Sequence, residues 1–228
     1  MKLGLLQCDH TLESVRHIAG DYEAMFARWL PAEWRVYDLP AGEGPEDLDE
    51  CDAYVTSGSK ASVYEDEPWI HGFAALTRRI RASGKPFLGV CFGHQMMGHA
   101  LGGRVAKSPN GWGIGVHTFA VERRAEWMQP AAPEFRLLMS CQDQVLELPP
   151  DAVVLAGNAH CPVGMFQVGN MVGVQGHPEF PPAYAEALLH LRRERIGAER
   201  VDRALATLAG PLDSVLLAQW ATAFLRGR

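Results

Sequence analysis

The sequence has no Cys-x-x-Cys pair: Cys8, Cys51, Cys91, Cys141 and Cys161 are odd in number and widely scattered. That spacing argues against both a disulfide framework and a zinc site. Histidine adds no ligand set, because His94 and His99, five apart, fall off one another's face on a helix. No metal and no organic cofactor is expected. Basic excess is missing too: 21 Lys+Arg stand against 27 Asp+Glu, a formal net charge of −6. Without a positive field, nucleic acid and membrane surfaces are poor partners. No apolar run approaches a membrane span, and Met1–Cys8 is too short for a signal peptide, so the expected location is cytoplasmic. Internal repeats, low-complexity tracts and linkers are also absent. With 47% hydrophobic residues, the 228 residues read as one domain with an ample core.

What is present is an alternation of short apolar runs with longer amphipathic stretches. Strands are predicted at Leu3–Cys8, Trp34–Leu39, Ala53–Thr56 and Pro86–Val90, with helices over Asp21–Leu30 and Pro68–Arg81. Such alternation indicates a parallel sheet with crossover helices. From Arg104 to Val174 the runs turn β-like, at Ile114–Val121, Arg136–Ser140, Ala152–Ala156, Met165–Val168 and Met171–Gln175, and extra or antiparallel strands are expected there. After Pro182 the pattern is helical: Tyr184–Arg195, Ala198–Leu208 and Leu212–Leu225. The last two each carry an apolar stripe, so residues 198–228 are read as an added helical hairpin on the domain. Arg192-Arg193-Glu194-Arg195 reads as a solvated helix face.

The most informative segment is Gly89-Val90-Cys91-Phe92-Gly93-His94-Gln95, placed where a strand stops and a helix starts. A sharp strand-to-helix turn crowds its central residue, and small neighbours on both sides relieve the clash while exposing the side chain. The helix N-terminus also favours a thiolate at Cys91. Far downstream comes Gly176-His177-Pro178-Glu179-Phe180. Pro178 forces His177 to be extended, and residues i and i+2 of an extended chain project to one side, so Glu179 can reach the imidazole and orient it. Ser57-Gly58-Ser59 ends the third strand. Gly58 and Phe92 are candidate oxyanion donors, since such sheets use the N–H after the nucleophile and one from a neighbouring strand-end loop. Each piece alone also fits a plainer role: a buried small cysteine, a surface turn, an ordinary strand end. Only the combination points to chemistry.

Taken in order, these three segments resemble the class I (triad) glutamine amidotransferases, especially the glutaminase domain of GMP synthase. The resemblance implies a three-layer α/β fold of flavodoxin-like type with a mostly parallel central sheet. It implies hydrolysis of a glutamine side-chain amide by Cys91, His177 and Glu179, with Gln95 helping to hold the substrate. Family members often carry Ser-His-x-Asp where this chain has Ser140-Cys141-Gln142-Asp143, a segment that lines their substrate pocket. Ser140 and Cys141 are therefore further substrate-side candidates, with the amino-acid end gripped differently. Gly176 replaces a frequent aromatic. No synthase domain is recognisable in the sequence, so three outcomes stand open: a glutaminase serving a separately encoded ammonia-accepting synthase, a self-sufficient γ-glutamyl peptidase or hydrolase, and a non-catalytic glutamine-binding module.

Overall fold

A computed structural model describes residues 1–227. Its strands are β1 (Lys2–Gln7), β2 (Glu33–Asp38), β3 (Ala53–Thr56), β4 (Phe87–Val90), β5 (Arg104–Lys107), β6 (Gly113–Val121), β7 (Glu134–Cys141), β8 (Asp143–Glu147), β9 (Val153–Gly157), β10 (Met165–Val168) and β11 (Met171–Val174). The helices are α1 (Glu13–Ala19), α2 (Tyr22–Trp29), α3 (Pro68–Ser83), α4 (Phe92–Ala100), α5 (Pro182–Leu191), α6 (Arg193–Ile196), α7 (Ala198–Thr207) and α8 (Ser214–Leu225).

Nine strands form one sheet in the order β2-β1-β3-β4-β11-β10-β9-β6-β7, while β5 and β8 pair separately. From β2 to β11 all neighbours are parallel. Beyond β11 every ladder is antiparallel. The parallel strands are nearly all buried on both faces, as short apolar runs such as Phe87–Val90 require. Side chains alternate between two cores: Leu3 and Leu5 of β1 face one, with residues of α1, α2, α5 and α8, while Leu6 faces the other, with α3 and α4. Two helical layers thus enclose the sheet. Among the described residues no helix is long and apolar enough to cross a membrane.

Several local expectations shift. Helix α1 and the β5–β8 pair carry too little periodicity to stand out in the sequence. The helix expected over Tyr184–Arg195 breaks at Arg192, which adopts φ −97° and ψ 7° between α5 and α6. The two C-terminal helices take separate seats: α7 packs on β6 and α5, whereas α8 packs on α2, β4 and β7.

Candidate active site

Strand β4 delivers Cys91 to the C-terminal edge of the sheet, where the chain turns at once into α4. Cys91 adopts φ 50° and ψ −97°, a region L-residues avoid, worth about 1–3 kcal/mol of strain. The neighbouring glycines permit it. A Cβ on Gly93 would collide with Thr56 Oγ1, and one on Gly89 would lie 2.6 Å from the Gly93 carbonyl carbon. Hydrogen bonds pin the elbow on both sides: the Val90 N–H donates to Thr56 Oγ1 at 3.1 Å, and the Cys91 N–H to the Val174 carbonyl at 2.9 Å.

Strand β11, next to β4, carries the chain to His177, whose N–H donates to the Leu138 carbonyl of β7 at 2.8 Å. His177 Nδ1 and Glu179 Oε1 are 2.7 Å apart, and both residues are buried. The Cys91 side chain lies close enough to favour the charged form of the imidazole. Burial works against a charged ring, but the carboxylate of Glu179 and the sulfur of Cys91 outweigh it and raise the His177 pKa to about 10. Gly176, the departure from the aromatic of many relatives, lies against β7: a Cβ there would come 2.8 Å from Leu137 Cβ.

Gly58 stands over this pair. A methyl on it would lie 2.8 Å from His177 Cε1 and 3.7 Å from Cys91 Cβ, so only glycine brings the strand-end backbone this close. Phe92 opens α4, where the first N–H groups lack intrahelical acceptors. Its ring stacks on Trp69 and Phe73, with centroids 5.5 and 6.1 Å away, which holds that first turn in place.

The cavity at Cys91 has two lobes. The smaller, about 70 Å³, takes in Gln95, Ser140, Cys141, Asp143 and Lys107. Gln95 is buried and its Nε2 donates to the Asp143 carbonyl at 2.7 Å. Asp143 accepts from the hydroxyls of Ser62 at 2.5 Å and Tyr64 at 3.2 Å. Burial pushes the Cys141 thiol well above the ordinary range, so the cysteine at the family's histidine position is a neutral wall. The larger lobe, about 320 Å³, holds His177, Asp9, Tyr22, Phe180, Tyr184 and Leu188.

Arg192 and Arg195 border both lobes, which corrects the solvated-face reading of that run. Arg192 donates to Ser140 Oγ at 2.8 Å, and Arg195 lies 5.1 Å over the Trp112 ring. Their neighbour Arg193 does point outward, to Asp202. The break at Arg192 that turns the chain over the site leaves no periodic signal. Gln175, whose Nε2 lies 3.7 Å from Cys91 Sγ, is a further residue of the candidate site that sequence reasoning misses. It precedes His177 by two in an extended segment, so the i, i+2 rule applied to Glu179 places it on the same side. Among the described residues no cluster of three or more His, Cys, Asp or Glu side chains has metal-binding geometry.

Comparison with known proteins bears on this site. The family profile "Glutamine amidotransferase class-I" matches residues 31–190. γ-Glutamyl peptidase 3 of Arabidopsis thaliana is 30% identical, covering 99% of this chain and 96% of its own. The glutamine-hydrolysing GMP synthase of Thermomicrobium roseum is 32% identical over 72% of this chain and 34% of its own. A crystal structure of a glutamine amidotransferase from Thermotoga maritima superposes with a TM-score of 0.76 at 21% identity, covering 99% of this chain and 97% of that one. With more than half its length under the family profile and a relative at 30% identity aligned along nearly all of it, the chain belongs to the class-I glutamine amidotransferase family.

Proposed function

We propose that this protein hydrolyses the γ-amide bond of γ-glutamyl compounds, and that its preferred substrates carry a leaving group larger than ammonia. The Cys91 thiolate attacks the γ-carbonyl carbon while its proton resides on His177. The N–H groups of Phe92 and Gly58 stabilise the oxyanion, and His177 gives its proton to the departing nitrogen as the C–N bond breaks. Water then attacks the γ-glutamyl thioester, losing a proton to His177, and the thiolate is released with a free γ-carboxylate. Glu179 holds the ring throughout.

The observation that carries the leaving-group reading is the larger lobe on the His177 side of the sulfur. Ammonia is water-sized, and a water needs only roughly 10–15 Å³ of such space. The lobe offers about 320 Å³. Charge agrees with volume. Asp143 and Lys107 in the smaller lobe match the ammonium and carboxylate of one amino-acid end. Among the described residues Arg192 and Arg195 pair with no carboxylate, and a carboxylate on the leaving group would meet them between the lobes.

A second reading, ammonia supply to a separately encoded synthase, is supported by the similarity to a stretch making up about a third of a glutamine-hydrolysing GMP synthase. The test compares kcat/KM for glutamine, a γ-glutamyl dipeptide and the same dipeptide with its C-terminus amidated. The free-acid dipeptide should exceed both by about tenfold or more, the scale of one charged hydrogen bond. Glutamine as the better substrate would favour the ammonia-supplying reading, and no turnover of any of the three would leave only a binding module.

A further inference from the structure

Two buried amides stand behind Cys91 that no step above employs. Gln95 Nε2 donates to the Asp143 carbonyl at 2.7 Å and to Gln175 Oε1 at 3.3 Å. Gln175 Nε2 in turn donates to Cys91 Sγ at 3.7 Å. The direction of this relay is set at its far end. A backbone carbonyl only accepts, so the Gln95 amide must turn its NH₂ group toward Asp143. That group's second N–H meets Gln175, whose oxygen must face it, and the nitrogen of Gln175 is left facing the sulfur. Reversing Gln175 would set two donors against each other and put its oxygen against the thiolate.

The charged groups of the Cys91 cavity, Asp9, Lys60, Lys107, Asp143, Arg192 and Arg195, line its open lobes, and Glu179 sits behind His177, whereas the other thiols and the phenol packed near the sulfur are uncharged. Burial lifts the thiols of Cys8 and Cys141 well above their ordinary range, and that of Cys161 to about 12. It lifts the Tyr22 phenol in the same way. His177 is then the one cation among the groups packed near the sulfur. A hydrogen-bond donor aimed at the sulfur from the core side adds to that help for a thiolate.

We infer that Gln175 donates a hydrogen bond that holds Cys91 in its reactive thiolate form, and that Gln95 is a positioning residue that fixes which way Gln175 faces. This rests on Cys91 being the nucleophile. It also amends the role the family resemblance implies for Gln95: with both N–H groups directed inward, its contact with a substrate is as an acceptor, through Oε1.

The test needs no substrate. Alkylation of Cys91 by iodoacetamide is followed by mass spectrometry across pH in the full chain. Gln175→Glu keeps the side-chain shape but replaces the donor with a carboxylate. Its rate at neutral pH should fall about tenfold below wild type and converge on wild type as pH rises, because only the thiolate reacts. Gln95→Met, which leaves Gln175 in place but unanchored, should show the same pH-dependent loss at roughly a third of that size. A packing defect would instead change access to the sulfur and depress the rate at every pH alike. A wild-type profile in Gln175→Glu, or a uniform depression, overturns the inference. Should Gln175→Glu not fold, Gln175→Met is read by the same criteria. Either failure leaves the γ-glutamyl reading standing. If another cysteine in the wild-type chain is labelled faster than Cys91, the nucleophile assignment itself falls.

Discussion

The imidazole of His177 lies flat on the ring of Phe180, with centroids 3.9 Å apart and planes 10° from parallel. Phe180 itself meets Tyr184 edge-on, with centroids 4.9 Å apart. His177 is thus held on one face by an aromatic ring, at Nδ1 by Glu179 and at Cε1 by the bare backbone of Gly58. Cys91 lies near enough to favour the ring's charged form. A ring confined this way needs little reorganisation when it passes a proton.

Gly58→Ala should therefore impair catalysis far more than folding. The new methyl would meet His177 Cε1 at 2.8 Å, and the ring, backed by Phe180, can yield only by leaving its line to Cys91. Turnover should drop about a hundredfold, as small misplacements of catalytic groups do. Urea unfolding should show a loss within the roughly 1–3 kcal/mol usual for overpacking. Unchanged turnover would mean that the strand-end loop moves instead.

Replacing Cys91 separates chemistry from strain. Both Cys91→Ala and Cys91→Gly should abolish turnover and thioester formation. Glycine adopts φ 50°, ψ −97° without a Cβ clash, so Cys91→Gly should unfold at higher urea than Cys91→Ala, by about 1 kcal/mol. An alanine variant as stable as the glycine one would show the turn to be relaxed.

The His177–Glu179 pair should be visible in both activity and pH dependence. His177→Ala removes the proposed proton carrier, whereas Glu179→Gln removes only its proposed orienter, so the second loss of kcat should be the smaller. The stability signature has a definite sign. The folded-state pKa of His177 is raised to about 10, so the native protein holds a proton that the unfolded chain releases near pH 6.5. The stabilisation is complete below that lower value and is lost as pH rises through the upper one. Urea melts of wild type and Glu179→Gln should differ more at pH 6 than at pH 10; an equal gap would place the contribution in packing.

The parallel half of the sheet and the elbow are legible in the sequence because each depends on local pattern. Phe87–Val90 is too short and apolar for anything but a central strand, and Gly89 and Gly93 mark a backbone clash that is visible one residue at a time. His-Pro-Glu is legible through the extended geometry that proline enforces. What escapes depends on tertiary position. Arg192 and Arg195 look like any charged helix face until the chain breaks at Arg192 and carries them over the cavity. The proposed preference for a bulky leaving group rests on a lobe built from the segment after β1, from α2 and from α5, and no single segment announces it. The glutamine hydrolysis that the family resemblance implies rests on motifs that describe the acyl side of the reaction and are silent on the leaving group.

Residues 198–228 are expected from the sequence to fold back onto the domain, and the way α7 and α8 are seated argues that they cannot be detached. On β6, Gly115 at φ +79° leaves space that α7 occupies: a Cβ there would lie 3.0 Å from Ala204 Cα. Thr207 Oγ1 accepts the Val116 N–H at 2.9 Å beside it. Helix α8 buries Leu217, Trp220, Phe224 and Leu225, with Trp220 edge-on to Phe135 and its indole N–H donating to the Pro130 carbonyl at 2.9 Å. Ahead of it, Asp213 accepts two guanidinium hydrogen bonds from Arg136 of β7. With Val201 of α7, these large side chains are worth about 1.5–3 kcal/mol each when fully buried. Their sum is comparable to the whole stability of a domain, about 5–15 kcal/mol. A chain ending at Gly197 should therefore be insoluble or aggregate on size exclusion. A soluble, monodisperse and active truncation would mean that the two helices form a removable docking element, and that the chain folds without the surface they cover.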